Sequence, residues 1–192
     1  MKLHEHLPDT IKVDGKRHRV DLDFRNVLRM MEIMGDNTLT DEAREYLAVK
    51  CFMRKPVKGA LAALKQLLFG ADEKEDAEEG DGTRLTSFDQ DAAMIRAAFW
   101  QTYRINLYKD RLHWFAFQEL LRGLPEGTRY MEVVGIRAKP MPKPTRYNQE
   151  ERAWLTKAKA RYAIKQSEEE AERNYQQGVH KLFTGLMGMI QR

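Results

Sequence analysis

One segment constrains this chain more than any other. The nine residues Ala92-Ala93-Met94-Ile95-Arg96-Ala97-Ala98-Phe99-Trp100 carry a single polar side chain, Arg96. A helix apolar on nearly all sides is normally buried over most of its surface, so the rest of the chain must supply elements that cover it. Its start is marked by Ser87-Phe88-Asp89-Gln90, a capping-box pattern in which the Ser and Gln side chains satisfy each other's free backbone donors. A second helix is expected from about Asp110 to Arg122, with Leu112, Trp114, Phe115, Phe117, Leu120 and Leu121, ended by Gly123 and Pro125. A third, from about Thr128 to Arg137, carries Tyr130, Met131, Val133, Val134 and Ile136. Residues 87–138 thus read as a central helical core.

Residues 1–70 read as a hairpin plus three helices. Thr10-Ile11-Lys12-Val13 and His18-Arg19-Val20 alternate around Asp14-Gly15, a dipeptide suited to positive φ. A lone hairpin is marginal in water and must pack on helices. Asp23 is placed to cap a helix with Phe24, Val27, Leu28, Met31 and Met34 on one face and Gly35 at its stop. Thr40, followed by Asp41 and Glu42, opens a second helix to about Met53. Beyond Pro56, the residues Val57, Leu61, Leu64, Leu67 and Leu68 mark a third, ended at Gly70. The fold class is therefore mainly α, with an N-terminal β-hairpin and a long C-terminal helical arm.

Two breaks divide the chain. Residues 71–86 are expected to form an acidic, flexible loop, since positions 71–82 alone carry a net −6 and no large apolar residue. Residues 139–147 hold Pro140, Pro142 and Pro144, which forbid a continuous helix and favour an extended spacer. The arm, 148–192, opens with Asn148 three residues before Glu151, a capping pattern. Its polar stretch from Lys157 to Arg173 favours helix, and it ends in the apolar stripe Leu182, Phe183, Leu186, Met187 and Ile190.

Composition excludes more than it assigns. The chain has 192 residues with a net charge of only +4, which argues against a dominant basic field for nucleic acid. Lys157, Lys159, Arg161 and Lys165 are basic, but Glu168, Glu169, Glu170 and Glu172 follow at once, so a solvated helix face is favoured over a phosphate contact. No apolar run approaches the length of a membrane span. The opening residues lack a signal-peptide core, and a single cysteine cannot form an internal disulfide. These point to cytoplasm. The five histidines lie in separate elements, and no HExxH, CxxC, Walker or G-x-G-x-x-G pattern occurs. His113 reads as a packed or hydrogen-bonded structural residue, and Cys51 as a buried thiol rather than a nucleophile. Asp89 and Asp91 flank a helix start, where the dipole favours acids. No enzymatic activity, cofactor, metal or small-molecule substrate is expected.

The central block resembles a known family. Phe88-Asp89-Gln90-Asp91, Phe99, Tyr103, His113-Trp114, and Gly123 with Pro125 stand in an order similar to that of the gene-product-fifteen family of tailed bacteriophages. The hairpin and Asp23-Phe24-Arg25 match the family's opening. The resemblance implies a protein of siphophage tail modules, encoded between the tail-tube and tape-measure genes. The implied role is a tail-assembly chaperone acting in the host cell cytoplasm and absent from the mature virion. Its implied partners are the tape measure protein and the tail-tube protein, with self-association into a homo-oligomer compatible with that work. A structural minor tail or connector protein is the alternative, and a nucleic-acid-binding regulator a weaker one. No catalytic residue comes with the resemblance. The stripe of Leu182, Phe183, Leu186, Met187 and Ile190 has two readings of equal weight, a return onto the chain's own core or a docking helix for another chain, the Met side chain giving the latter an adaptable surface. On the docking reading, Leu186→Asp, or truncation after Arg173, is expected to abolish client binding while the core stays folded. Unchanged co-purification with the tape measure would refute it.

Overall fold

Asp14 and Gly15 take φ values of 48° and 77°, the left-handed pair that a two-residue hairpin turn requires. They join β1 (Thr10–Val13) to β2 (Lys16–Arg19) in antiparallel register, from Thr10 opposite Arg19 to Val13 opposite Lys16. Ile11 and Val13 are buried. Val20, expected in the second strand, lies just beyond it and donates to the Asp9 carbonyl at 2.8 Å. In this computed structural model the described residues are 4–70 and 85–165. They fall into two units, residues 4–70 with 87–134, and residues 85–86 with 135–165. The architecture is mainly α, as the sequence implies.

In the first unit three helices follow the hairpin: α1 (Phe24–Gly35), α2 (Asp41–Lys50) and α3 (Ala60–Phe69). Asp23 caps α1 by accepting the Arg25 N–H at 3.0 Å, and Thr40 caps α2 by accepting from Ala43 at 3.3 Å. The fully buried face of α1 is Phe24, Val27 and Met30, with Leu28, Met31 and Met34 half-buried beside it. Two expected bounds move. The second helix ends at Lys50 because Cys51 and Phe52 turn inward to bury the Phe52 ring. The third begins at Ala60, since Gly59 at φ 82° breaks the path from Val57.

Residues 87–134 of this unit carry α4 (Ala92–Tyr103), α5 (Trp114–Arg122) and the start of α6 (Arg129–Ala138). The expected capping box is corrected by one residue. The Ser87 hydroxyl accepts from the Gln90 N–H at 3.4 Å, but it is the Asp91 carboxylate, not Gln90, that accepts the Ser87 N–H, at 2.9 Å. A single turn over 88–91 precedes the helix, so the returning acceptor stands one position later, and Asp91 is fully buried. The expectation of burial over most of the helix surface also fails. Ile95, Ala98 and Phe99 are buried, whereas Ala93, Ala97 and Trp100 are exposed.

The expected N-terminal and central lobes share one hydrophobic cluster, and Phe117 sits in the middle of its aromatic rings. Phe24 stacks on it at 4.7 Å between centroids, Phe99 at 5.3 Å and Trp114 at 5.8 Å, while Phe88 packs against it at 6.1 Å. Aromatic pairs at these separations add to what area burial alone contributes. At the end of α5 the Tyr103 hydroxyl donates to the Leu120 carbonyl at 2.9 Å, satisfying an acceptor that a helix end leaves free. A Cβ on Gly123 would come within 3.3 Å of that hydroxyl and of the Glu119 carbonyl, which accounts for a glycine there. The Pro125 carbonyl accepts from both the backbone and the hydroxyl of Thr128, which opens α6.

The second unit holds the proline spacer and α7 (Gln149–Tyr162). Residues 140–145 are irregular, as three prolines require. Asn148 precedes the helix as expected, but its side chain does not cap it. It faces backward instead, accepting from Thr145 N–H at 2.8 Å and donating to the Lys143 carbonyl at 2.9 Å. The Arg152 guanidinium donates to the Pro142 carbonyl. Arg137 donates to the carbonyls of Tyr162 and Leu85, and Lys159 to that of Arg137. Leu155 is the buried residue of α7. The helix ends at Tyr162, ahead of the expected end of the polar stretch, and Ala163 leaves the helical conformation.

Truncating the ring at the centre of the first unit tests this account. Phe117→Ala is expected to cost about 3–5 kcal/mol of stability, while Tyr147→Ala, at an exposed position, stays within about 0.5 kcal/mol. Urea denaturation midpoints measure both.

Candidate partner-binding surface

The segments that begin α1 and α5 meet backbone to backbone. Phe24 N–H donates to the Leu112 carbonyl at 2.9 Å and Trp114 N–H to the Leu22 carbonyl at 2.8 Å, pairing Asp23 with His113. Each of these two residues caps its own helix in the same way, since His113 Nδ1 accepts from the Phe115 N–H at 3.2 Å. With Nδ1 accepting, Nε2 carries the proton and donates to the Pro8 carbonyl at 2.9 Å. His113 is thus a structural residue bonded at both nitrogens. It also explains why α5 begins at Trp114 rather than near Asp110.

Charged side chains surround this pairing. Arg111 Nη2 lies 2.7 and 2.6 Å from the two oxygens of Asp21, and its Nε lies 3.5 Å from Asp23. Arg25 pairs with Asp23 at 3.0 Å and donates to the Asp110 carbonyl at 2.6 Å. Burial opposes ionisation of Asp21, but the Arg111 hydrogen bond, the Asp23 N–H and the Arg111 charge outweigh it. Its carboxyl therefore titrates below the ordinary 3.8. Burial pushes the Cys51 thiol up against the opposing charge of Arg29, and the thiol donates to the Leu47 carbonyl at 3.4 Å. That is the reverse of what a nucleophile needs. Among the described residues no group of three or more His, Cys, Asp or Glu could hold a metal ion, and no helix is long and apolar enough to cross a membrane.

The exposed side of α4 forms a groove instead. One recess of about 280 Å³ is lined by Phe24 and Leu28 of α1, Phe88, and Ile95 of α4. A second, of about 320 Å³, is lined by Ala93, Ala97 and Trp100, and the two share Arg96, Leu107 and Tyr108. Arg104 at φ 59° ends α4 and turns the chain into the loop that supplies the far wall. There Asn106 accepts the Tyr108 N–H at 3.0 Å, and Asp110 accepts the Asn106 N–H at 2.7 Å. This loop buries Leu107 and leaves Tyr108 71% exposed, opposite Trp100 at 52%. The Arg96 guanidinium lies over the Tyr108 ring at 4.6 Å.

Most of the residues that carry the resemblance build the core beside this groove rather than its surface. Phe99 and Trp114 belong to the aromatic stack, Asp91 to the buried turn, and Tyr103, His113, Gly123 and Pro125 to helix ends. Phe88 lines the groove, as do Phe24 and Arg25 of the matching opening, while Asp89 and Gln90 are exposed at the turn before it. Leu182, Phe183, Leu186, Met187 and Ile190 lie outside the described residues, as does most of the acidic segment. Sequence reasoning missed Trp100 and Tyr108 as surface residues. A bulky aromatic at the end of an apolar helix carries no mark that tells surface from core. No curated protein and no solved structure matches the chain. Residues 3–164 match the family described as bacteriophage Gp15 protein.

The lowered carboxyl of Asp21 sets a pH dependence. Its contribution to stability is present above the ordinary 3.8 and is lost as pH falls through the lower folded value. Arg111→Ala is expected to lower stability slightly at neutral pH, as the loss of an exposed pair does. Urea titrations of both proteins should show that gap closing on acidification below the ordinary Asp range. A gap that does not change with pH would contradict the assignment.

Proposed function

The chain belongs to the bacteriophage Gp15 protein family, and from that premise we propose that it is a tail-assembly chaperone. In this reading it binds the tape measure protein without enzymatic chemistry and keeps it soluble in the host cytoplasm while tail-tube subunits polymerise around it. Family membership over residues 3–164 is the observation that carries the reading. The resemblance implies a gene position between tail tube and tape measure, the two partners such a chaperone would serve.

The physical requirements are modest. A very long helical protein with an apolar stripe exposes far more contiguous apolar surface than soluble monomers tolerate, and such segments aggregate unless covered. Covering them calls for a helix-in-groove surface rather than a catalytic site. The groove along α4, apolar on its floor and aromatic at its rim, supports that reading. Release follows when tube subunits compete for the same stripe. No cofactor is required, and several copies could line one client.

Co-expression with the tape measure protein of the same tail module provides the test. The tape measure is expected in the soluble fraction, co-purifying with this chain, and in inclusion bodies without it. Mass spectrometry of purified virions is expected to find this chain absent. Stoichiometric recovery from mature particles would overturn the chaperone reading in favour of a structural tail component.

A further inference from the structure

We infer that the groove along α4 is the docking site for an amphipathic helix of the client whose apolar stripe is flanked by Asp and Glu side chains. The inference rests on the chaperone reading and adds to it a surface and a chemistry. Three observations carry it. First, Ala93 and Ala97 stand one turn apart and exposed, giving a shallow floor on which a second helix can lie at short interaxial distance. Second, Trp100 and Tyr108 rise at one end of that floor, each more than half exposed. Large aromatics of this kind anchor interfaces when covered.

Third, the charged side chains that line the groove are of one sign. Its lining includes Arg25 and Arg96 and no carboxylate. Arg25 is engaged by Asp23, but Arg96 has no carboxylate partner among the described residues and lies on the Tyr108 ring. Arg104 and Lys109 are exposed at the same end. Asp110, the acid of that loop, does not line either recess; its carboxylate turns back to accept the Asn106 N–H. A basic or neutral helix would leave this cationic end uncompensated, whereas flanking acids complement it. The span from Ala92 to Trp100 is about 12 Å at a helical rise of 1.5 Å per residue. It accommodates roughly two turns of the client, read through anchors at i, i+3 or i+4, and i+7.

Two designed helical peptides of about four turns test this with the full chain. They share one Leu/Ala stripe and differ only in Glu or Lys flanks, and fluorescence polarisation reads their binding. The Glu-flanked peptide is expected to bind at least about tenfold more tightly at low salt, with the difference shrinking as salt screens it. Ala97→Glu should weaken that peptide by about tenfold or more with an unchanged urea midpoint, and Arg96→Ala should narrow the discrimination. Equal binding of both peptides, preference for Lys flanks, or undiminished binding by Ala97→Glu overturns the inference. So does a dimer, seen in sedimentation, that Ala97→Glu dissociates without any peptide binding, because the groove then belongs to a second copy. The two readings fail separately. Peptide binding in the groove with an insoluble tape measure sinks the chaperone function alone. A tape measure kept soluble equally well by Ala97→Glu sinks the groove alone.

Discussion

Two helices in this protein begin at the same place. The backbone pairing of Asp23 with His113 brings the starts of α1 and α5 side by side. The first residues of those helices, Phe24 and Trp114, then enter the core together and meet on Phe117. The two segments are alike in detail. Asp21-Leu22-Asp23-Phe24-Arg25 and Arg111-Leu112-His113-Trp114-Phe115 each place a Leu before the cap, a cap that accepts the N–H two residues on, and a buried aromatic after it. Arg111 and Arg25 then fasten each segment to the other, through Asp21 and the Asp110 carbonyl. Both recesses along α4 depend on this arrangement, since α1 lines one of them and the loop leading to α5 lines both.

The locally encoded features were legible in the sequence. Asp14-Gly15 marks its turn because few other dipeptides adopt two positive φ values in succession. Asp23 and Thr40 mark helix starts because a short oxygen acceptor can reach a backbone N–H two or three residues on. Features that depend on distant partners were not legible. His113 is held as a cap with the help of Pro8, far away in the chain, whose carbonyl accepts a hydrogen bond from the other ring nitrogen. Asn148 resembles a cap, yet the carbonyls and N–H groups of a proline-rich segment compete for its amide and win. Asp91 replaced Gln90 because burial of Ser87 favours the shorter side chain with the stronger acceptor.

The groove was the least legible of all. Apolar periodicity tells which residues avoid water in the finished assembly, not whether the cover comes from the same chain. The segment from Ala92 to Trp100 reads as buried over most of its surface, but here only the side bearing Ile95, Ala98 and Phe99 is covered. The excess apolar character of α4 is therefore informative. One face is covered by its own core, and the other is the face on which the docking proposal rests. The resemblance-bearing residues both line that groove, as Phe24, Arg25 and Phe88 do, and pack beneath it, as Phe99 and Trp114 do.

The tie between Asp23 and His113 also has a consequence for biosynthesis. His113 is bonded to Pro8, 105 positions before it, and Phe117, on which Phe24 stacks, comes later still. Closing so long a loop delays folding, because its entropic cost precedes any reward from the contacts it allows. A nascent chain that has extruded the hairpin and α1–α3 still lacks the ring that completes its core. The protein therefore reaches its working form only after α5 has left the ribosome, and its N-terminal helices spend that interval with their own apolar faces uncovered.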